Sequence, residues 1–257
     1  MSRRRDPVGC APHLGTRLHI AESAGRPIEV REHQGLRWMH LGCAAVQSVV
    51  RMNRPEQPLL PYTRAMLGAL LFHERPRRLL NLGLGGGTFE RFLVARTPGL
   101  EVTSVESSAA VIDVARRFFM VPEAHPVVHA TAQGFLDQAQ APYDLALCDL
   151  HGGSGHPQAL SGAPFYARVA QCLSPTGVFA LNLLPDGEAQ MLEVLRAVRT
   201  HFEWMLILEF RDYRNIVLFA LNRPPPPGAA LEARARVLRS RLGIGLGALP
   251  ARLRRLP

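Results

Sequence analysis

The run Gly83-Leu84-Gly85-Gly86-Gly87 constrains this chain more than any other stretch. It follows an apolar segment, Leu79-Leu80-Asn81-Leu82. Glycine tolerates positive φ and lets another backbone or a ligand come close, so the cluster predicts a tight turn from a strand into a helix. Phe89, Phe92 and Leu93 then recur at helical spacing, with Arg91 and Arg96 between and after them. A second apolar segment, Glu101 to Val105, stops at Glu106. That acid lies roughly 20 residues beyond the turn, the spacing at which a carboxylate on the second strand reaches ribose hydroxyls. Strand, turn, helix, strand and acid together outline a nucleotide-type site. Its candidate ligand-binding residues are Gly83, Gly85, Gly86, Gly87, Glu106 and Ser107.

The same alternation continues down the chain. Strand patterns fall near 78–83, 101–106, 126–130, 143–149, 176–183, 204–210 and 214–221, with helical patterns near 88–97, 108–119, 164–173 and 187–201. This predicts a parallel sheet covered on both faces. Only Arg211-Asp212-Tyr213 separates the last two strands, and so short a link requires an antiparallel hairpin. The expected fold is α/β: a Rossmann-like, mostly parallel seven-stranded sheet with an antiparallel strand, of the S-adenosylmethionine-dependent transferase type. Ahead of it, short β-like runs between Ile28 and Val50, broken by Gly35 and Gly42, read as a small antiparallel sheet, and Tyr62 to Phe72 has helical spacing. The expected organisation is a poorly ordered arm over 1–25, a β-domain over 26–60, the Rossmann-like domain over 61–222, and a Pro-rich linker with a basic helix over 223–257.

Charge is concentrated in that last segment. All 30 basic residues are Arg, and residues 223–257 hold eight of them against the single acid Glu232, so most of the net +9 lies in the tail. Nucleic-acid binding by the main domain is therefore not expected. The tail helix, with Leu231, Ala235, Leu238 and Leu242 at helical spacing, is expected to dock on the domain or present a solvated charged face. No apolar run reaches the ~20 residues that span a bilayer. The basic start lacks an apolar segment behind it, which points to a cytoplasmic protein. Cys10, Cys43, Cys148 and Cys172 have no metal-ligand spacing, nor do His125, His129, His151 and His156, and no metal is expected. Trp38 and Trp204 read as core or interface residues.

Three further segments carry a family resemblance: Gly42 to Gln47, Pro61 to Met66, and Tyr143-Asp144-Leu145-Ala146-Leu147-Cys148-Asp149. With the glycine loop and Glu106, they make residues 28–221 resemble the spermidine synthases, the polyamine aminopropyltransferases. The resemblance implies that the glycine loop binds decarboxylated S-adenosylmethionine and that Glu106 holds its ribose. It implies that Asp149 accepts the proton of an attacking amine and that Gln47 and Tyr62 lie near the amine acceptor. It also implies a homodimer. His151, two positions after the base, is a further substrate-binding candidate, in a Gly-rich loop that reads as a lid.

The chain departs from the family pattern at three points. Gly86 stands where the loop Asp that holds the aminopropyl amine is expected. Leu150-His151-Gly152 replaces the segment bearing a second amine-binding Asp, and Ala130-Thr131-Ala132-Gln133 lacks the adenine-contacting Asp, which leaves Thr131 and Gln133 for the base. Each lost charge-assisted contact is worth ~1.5–3 kcal/mol. Three functions follow: aminopropyl transfer to a polyamine such as putrescine, methyl transfer from intact S-adenosylmethionine with Gly86 leaving room for its carboxylate, or adenosyl binding without catalysis.

Overall fold

The computed structural model describes residues 14–43, 45–139, 142–150, 160 and 162–257. Four antiparallel strands, β1 (Thr16–Ser23), β2 (Arg26–His33), β3 (Leu36–Leu41) and β4 (Val46–Arg51), form a meander in chain order. Ala24-Gly25 and Gln34-Gly35 link the first three strands at positive φ, as two-residue hairpins require when their twist matches that of the strands. The strand β1 corrects the expectation of an unstructured arm up to residue 25: Ile20 pairs with Glu29 and Ala21 with Ile28. It carries Arg17, His19 and Glu22 and buries no side chain fully. Its order comes from backbone pairing with β2, which a hydrophobic pattern does not report.

Next come α1 (Pro61–Met66) and a 3-10 segment, Leu67–Leu71, where the spacing predicts one helix to Phe72. The change of winding lies between Met66 and Leu67, just before Gly68. A Cβ there would sit 2.8 Å from Leu249 Cδ1, so the missing side chain admits a residue from the far end of the chain.

Strands and helices then alternate: β5 (Arg78–Leu82), α2 (Thr88–Arg96), β6 (Glu101–Glu106), α3 (Ala109–Phe119), β7 (Val127–His129), α4 (Ala132–Leu136) and β8 (Tyr143–Cys148). They continue as α5 (Ala163–Cys172), β9 (Leu173–Leu183), α6 (Glu188–Arg199), β10 (Trp204–Glu209), β11 (Ile216–Leu221) and α7 (Gly228–Leu242). The order across the sheet is β12-β10-β11-β9-β8-β5-β6-β7, with β12 (Arg254–Arg255) at one edge. The neighbours from β7 to β9 pair in parallel, and β11 runs antiparallel between β9 and β10. This is the expected seven-stranded sheet, to which the tail adds the two-residue β12.

Alternate residues of each strand face opposite layers. Leu79, Leu145, Leu147, Ala180 and Phe219 look toward α1, α2 and the tail, where Leu231, Ala235, Ile244, Leu246 and Leu249 join the same core. Leu80, Ala146, Cys148, Phe179 and Leu218 face the layer of α5 and α6. The tail therefore docks as part of the structure, with Arg234 donating to Leu71 O (2.8 Å) and to Glu74. The small sheet is anchored too: Ile28, Val30, Met39 and Val50 pack with Val111, Val114 and Phe119 of α3. Trp38 is in the core, its indole donating to His40 Nε2 at 3.0 Å. Trp204 lies under the Arg255 guanidinium, 3.8 Å from it.

Truncation of a buried leucine leaves a cavity as well as lost apolar contact, at about 2–5 kcal/mol. Leu249→Ala is accordingly expected to lower unfolding free energy by about 2–4 kcal/mol in urea denaturation, within that range. A change below about 0.5 kcal/mol, the scale of an exposed substitution, would contradict the docking of the tail.

Candidate active site

In the larger sheet, β6 and β7 lie on one side of β5 while β8 and β9 lie on the other. Ligands of open α/β sheets bind beyond the carboxyl ends of the strands at such a switch point. A cavity of about 460 Å³ occupies that place. It is lined by Gly83, Leu84 and Gly85 after β5, Glu106, Ser107 and Ser108 after β6, Thr131 to Gln133 after β7, and Asp149 and Leu150 after β8. The small sheet supplies the roof through Ser23, Arg26, Met39, Leu41, Gln47 and Ser48.

The glycines have separate reasons. Gly83 has φ +97°, and a Cβ on it would sit 2.6 Å from the Asp149 carbonyl oxygen. Gly87 caps α2 in the left-handed region at φ +70°, with Val121 Cγ2 only 2.0 Å from where its Cβ would be. Gly86 donates its N–H to Ser48 Oγ at 2.7 Å, and a Cβ there would meet Ser48 Cβ at 2.7 Å. The Ser48 side chain thus fills space that an acid at position 86 would need. Arg91 holds the loop from behind, donating to Gly86 O, to Phe119 O at 2.7 Å and to Pro55 O at 2.7 Å. Burial pushes its guanidinium down to about 10, so it remains charged at neutral pH.

Glu106 bridges two backbone segments. Its Oε2 accepts from Leu84 N–H (3.1 Å) and its Oε1 from Ser108 N–H (2.9 Å), fixing the carboxylate between the glycine loop and α3. Ser108 caps α3 by accepting from Val111 N–H, and its hydroxyl also accepts from Ser23 Oγ at 2.6 Å, which ties the roof to the rim. Thr131 caps α4 through Gly134 N–H, and the Gln133 amide donates to Asp137. Asp149 Oδ1 accepts from Asn182 Nδ2 at 2.6 Å, and Asn182 Oδ1 accepts from Asn215 Nδ2 at 3.0 Å. Burial, then the neighbouring Asp149 charge, raises the Tyr62 phenol well above its ordinary value, so it stays protonated.

Of the candidate residues, Gln47, Gly83, Gly85, Glu106, Ser107, Thr131, Gln133 and Asp149 come together around the cavity. Gly86, Gly87 and Tyr62 stand back from its surface; Tyr62 is near enough to feel the Asp149 charge. His151 lies outside the described residues. Sequence reading missed Ser48, Arg26, Asn182 and Asn215. The signal for Asn182 is a lone amide in the apolar run Val178 to Leu184, while nothing local marks Arg26. Among the described residues no group of His, Cys, Asp and Glu is arranged to hold a metal ion, and no helix is long and apolar enough to cross a membrane.

A buried polar cluster underlies the loop. Asn81 Nδ2 donates to Gly83 O (2.9 Å) and to Glu90 Oε1 (2.6 Å), which also accepts from Ser104 Oγ (2.5 Å). His125 Nε2 lies 2.9 Å from the Ser104 hydroxyl. Burial pushes the Glu90 carboxyl up and the His125 imidazole down.

The fold and the cavity at its switch point define a Rossmann-like α/β protein. The solved spermidine synthase of Thermotoga maritima has this fold, with a TM-score of 0.70 at 18% identity over 94% of this chain and 84% of its own. Human methyltransferase-like protein 13, solved with SAH, shares it at a TM-score of 0.66 and 24% identity, over 72% of this chain and 93% of that one. No protein-family model matches the chain. Its sequence is 31% identical to the polyamine aminopropyltransferase of Chromobacterium violaceum over 244 residues, 93% of each chain. The chain belongs to the polyamine aminopropyltransferase family.

Two outcomes follow from the loop. Gly87→Ala is expected to unfold at lower temperature, because a Cβ overlaps Val121 and the backbone is left-handed; an unchanged melting temperature would contradict this. A carboxyl whose folded pKa is raised stabilises the fold fully below its unfolded value and loses that contribution as pH rises through the folded one. Glu90 thus makes stability fall as pH climbs past the usual carboxylate range, and Glu90→Gln should flatten that slope in thermal melts taken from acid to neutral pH.

Proposed function

We propose that this chain transfers an aminopropyl group from decarboxylated S-adenosylmethionine to a polyamine such as putrescine. The observation that carries this reading is the placement of the Asp149 carboxylate on the cavity wall, beside the glycine loop and opposite the roof. A diamine near neutral pH is protonated and has no lone pair for attack. Asp149 takes the proton; the amine nitrogen forms the new bond to the carbon beside the sulfonium, and the pair of the broken C–S bond stays on sulfur as a thioether. The carboxylate also faces the positive sulfur.

The residues fit an adenosyl ligand. A cavity of about 460 Å³ suits a nucleoside-sized molecule, and Gly83 and Gly85 keep side chains off its path. Glu106 is fixed by two backbone donors with its carboxylate at the rim, in place to accept from ribose hydroxyls. Thr131 and Gln133 would line the base, with Gln47 in the roof and Tyr62 behind Asp149 toward the acceptor. The reading carries a small-molecule amine partner, a homodimer and a cytoplasmic location, without metal or nucleic acid.

One observation favours a second reading, methyl transfer from intact S-adenosylmethionine. Among the described residues, the charged side chains on the cavity wall are Glu106, Asp149 and Arg26. An arginine suits a carboxylate, while the glycines of the loop offer no acid to an aminopropyl ammonium. Calorimetric titration with S-adenosylmethionine, its decarboxylated form and methylthioadenosine, each with and without putrescine, separates the two. Aminopropyl transfer requires tighter binding of the decarboxylated form, strengthened by putrescine, and a kcat lowered ~10²–10⁴-fold in Asp149→Asn. Preference for the intact form moves the assignment to methyl transfer; no binding by any leaves a fold without this chemistry.

A further inference from the structure

We infer that Asn182 and Asn215 form a relay that positions Asp149 for proton transfer, Asn182 as the positioning residue and Asn215 as the group that fixes its amide. The inference rests on the reading of Asp149 as the base. Asn182 lies in β9 and pairs with Val217 of β11. Asn182 is 3% exposed and Asn215 is 8% exposed. An amide there is unfavourable by about 1–3 kcal/mol unless it is hydrogen-bonded, so both need partners. They find them in one line: Asn215 Nδ2 donates to Asn182 Oδ1 at 3.0 Å, and Asn182 Nδ2 donates to Asp149 Oδ1 at 2.6 Å.

The order of donors is forced. With Asn215 donating to its oxygen, Asn182 can turn only its NH₂ toward the carboxylate; the flipped amide would set its oxygen against Asp149 Oδ1 and its NH₂ against that of Asn215. The three residues come from three separate parts of the sheet: the end of β8, the end of β9 and the turn before β11. The sheet therefore holds one oxygen of the carboxylate. A positioned base gains from geometry, since a misplacement of about 1 Å can lower the rate ~100-fold.

The test is a double-mutant cycle assayed with decarboxylated S-adenosylmethionine and putrescine. Asn182→Leu should lower kcat by about tenfold or more, with both KM values within about twofold of wild type. Asn215→Leu should lower kcat less, and the double variant should be no slower than Asn182→Leu, because Asn215 acts through Asn182. Methylthioadenosine affinity unchanged in all three would show intact folds. Additive losses, or Asn182→Leu within about threefold of wild type, would overturn the relay. Side-chain amide hydrogen exchange reads the chain without turnover: Asn182 Nδ2 protons should exchange at least about tenfold slower in wild type than in Asn215→Leu or Asp149→Ala. Equal exchange refutes the relay whatever the enzyme's substrate, whereas slow exchange with full activity in Asp149→Asn refutes only the base.

Discussion

The candidate site depends on the contact between the carboxyl ends of β5 and β8. Leu82 is in register with Cys148, and the next N–H along β8, that of Asp149, donates to Leu82 O at 2.9 Å. The two chains leave the sheet side by side, so the glycine turn and the candidate base emerge within a few ångströms of each other. A side chain at position 83 would drive into the Asp149 carbonyl. The register of two hydrogen-bonded strands therefore sets the distance between the glycine loop and the carboxylate. Side chains such as Arg91, Ser48 and Asn182 then keep that arrangement from relaxing.

Beneath this contact the protein buries two ionisable groups. Glu90 is fully buried with hydrogen bonds from Asn81 and Ser104, and the adjacent Arg91 is nearly as buried with carbonyls as its acceptors. An isolated buried charge is strongly unfavourable, and hydrogen bonding offsets only part of it. Asn81 and Arg91 both also touch the loop backbone, through Gly83 O and Gly86 O. The cluster therefore holds the turn from two sides, and disturbance of either residue is felt at the cavity.

The fold was legible because its strands are apolar runs and its turns are glycines, signals set by local sequence. The assignment of Gly83 and Glu106 to one site was legible for the same reason: both follow strands of a single βαβ unit. Ser48, Arg26 and the Asn182–Asn215 pair were not, since each reaches the site from a part of the chain remote in sequence. The strand β1 was hidden by its polar side chains, and the 3-10 winding after Met66 by a partner, Leu249, near the other end of the chain. Local periodicity reports which face of an element is buried, but not which distant residue covers it.

The short strand β12 gives the arginine-rich tail another meaning. It pairs with β10, Leu206 opposite Arg255 and Ile207 opposite Arg254, on the side of β10 away from β11. Without it, β10 would present a row of unpaired amides and carbonyls beside an apolar face, a template on which a second chain could add a strand. Arg254 also bonds Glu209, and both arginines are exposed at that edge. Two guanidinium groups beside a strand edge repel another basic chain and require desolvation before any new strand can dock. Two of the tail's eight arginines thus cover and charge this edge of the sheet.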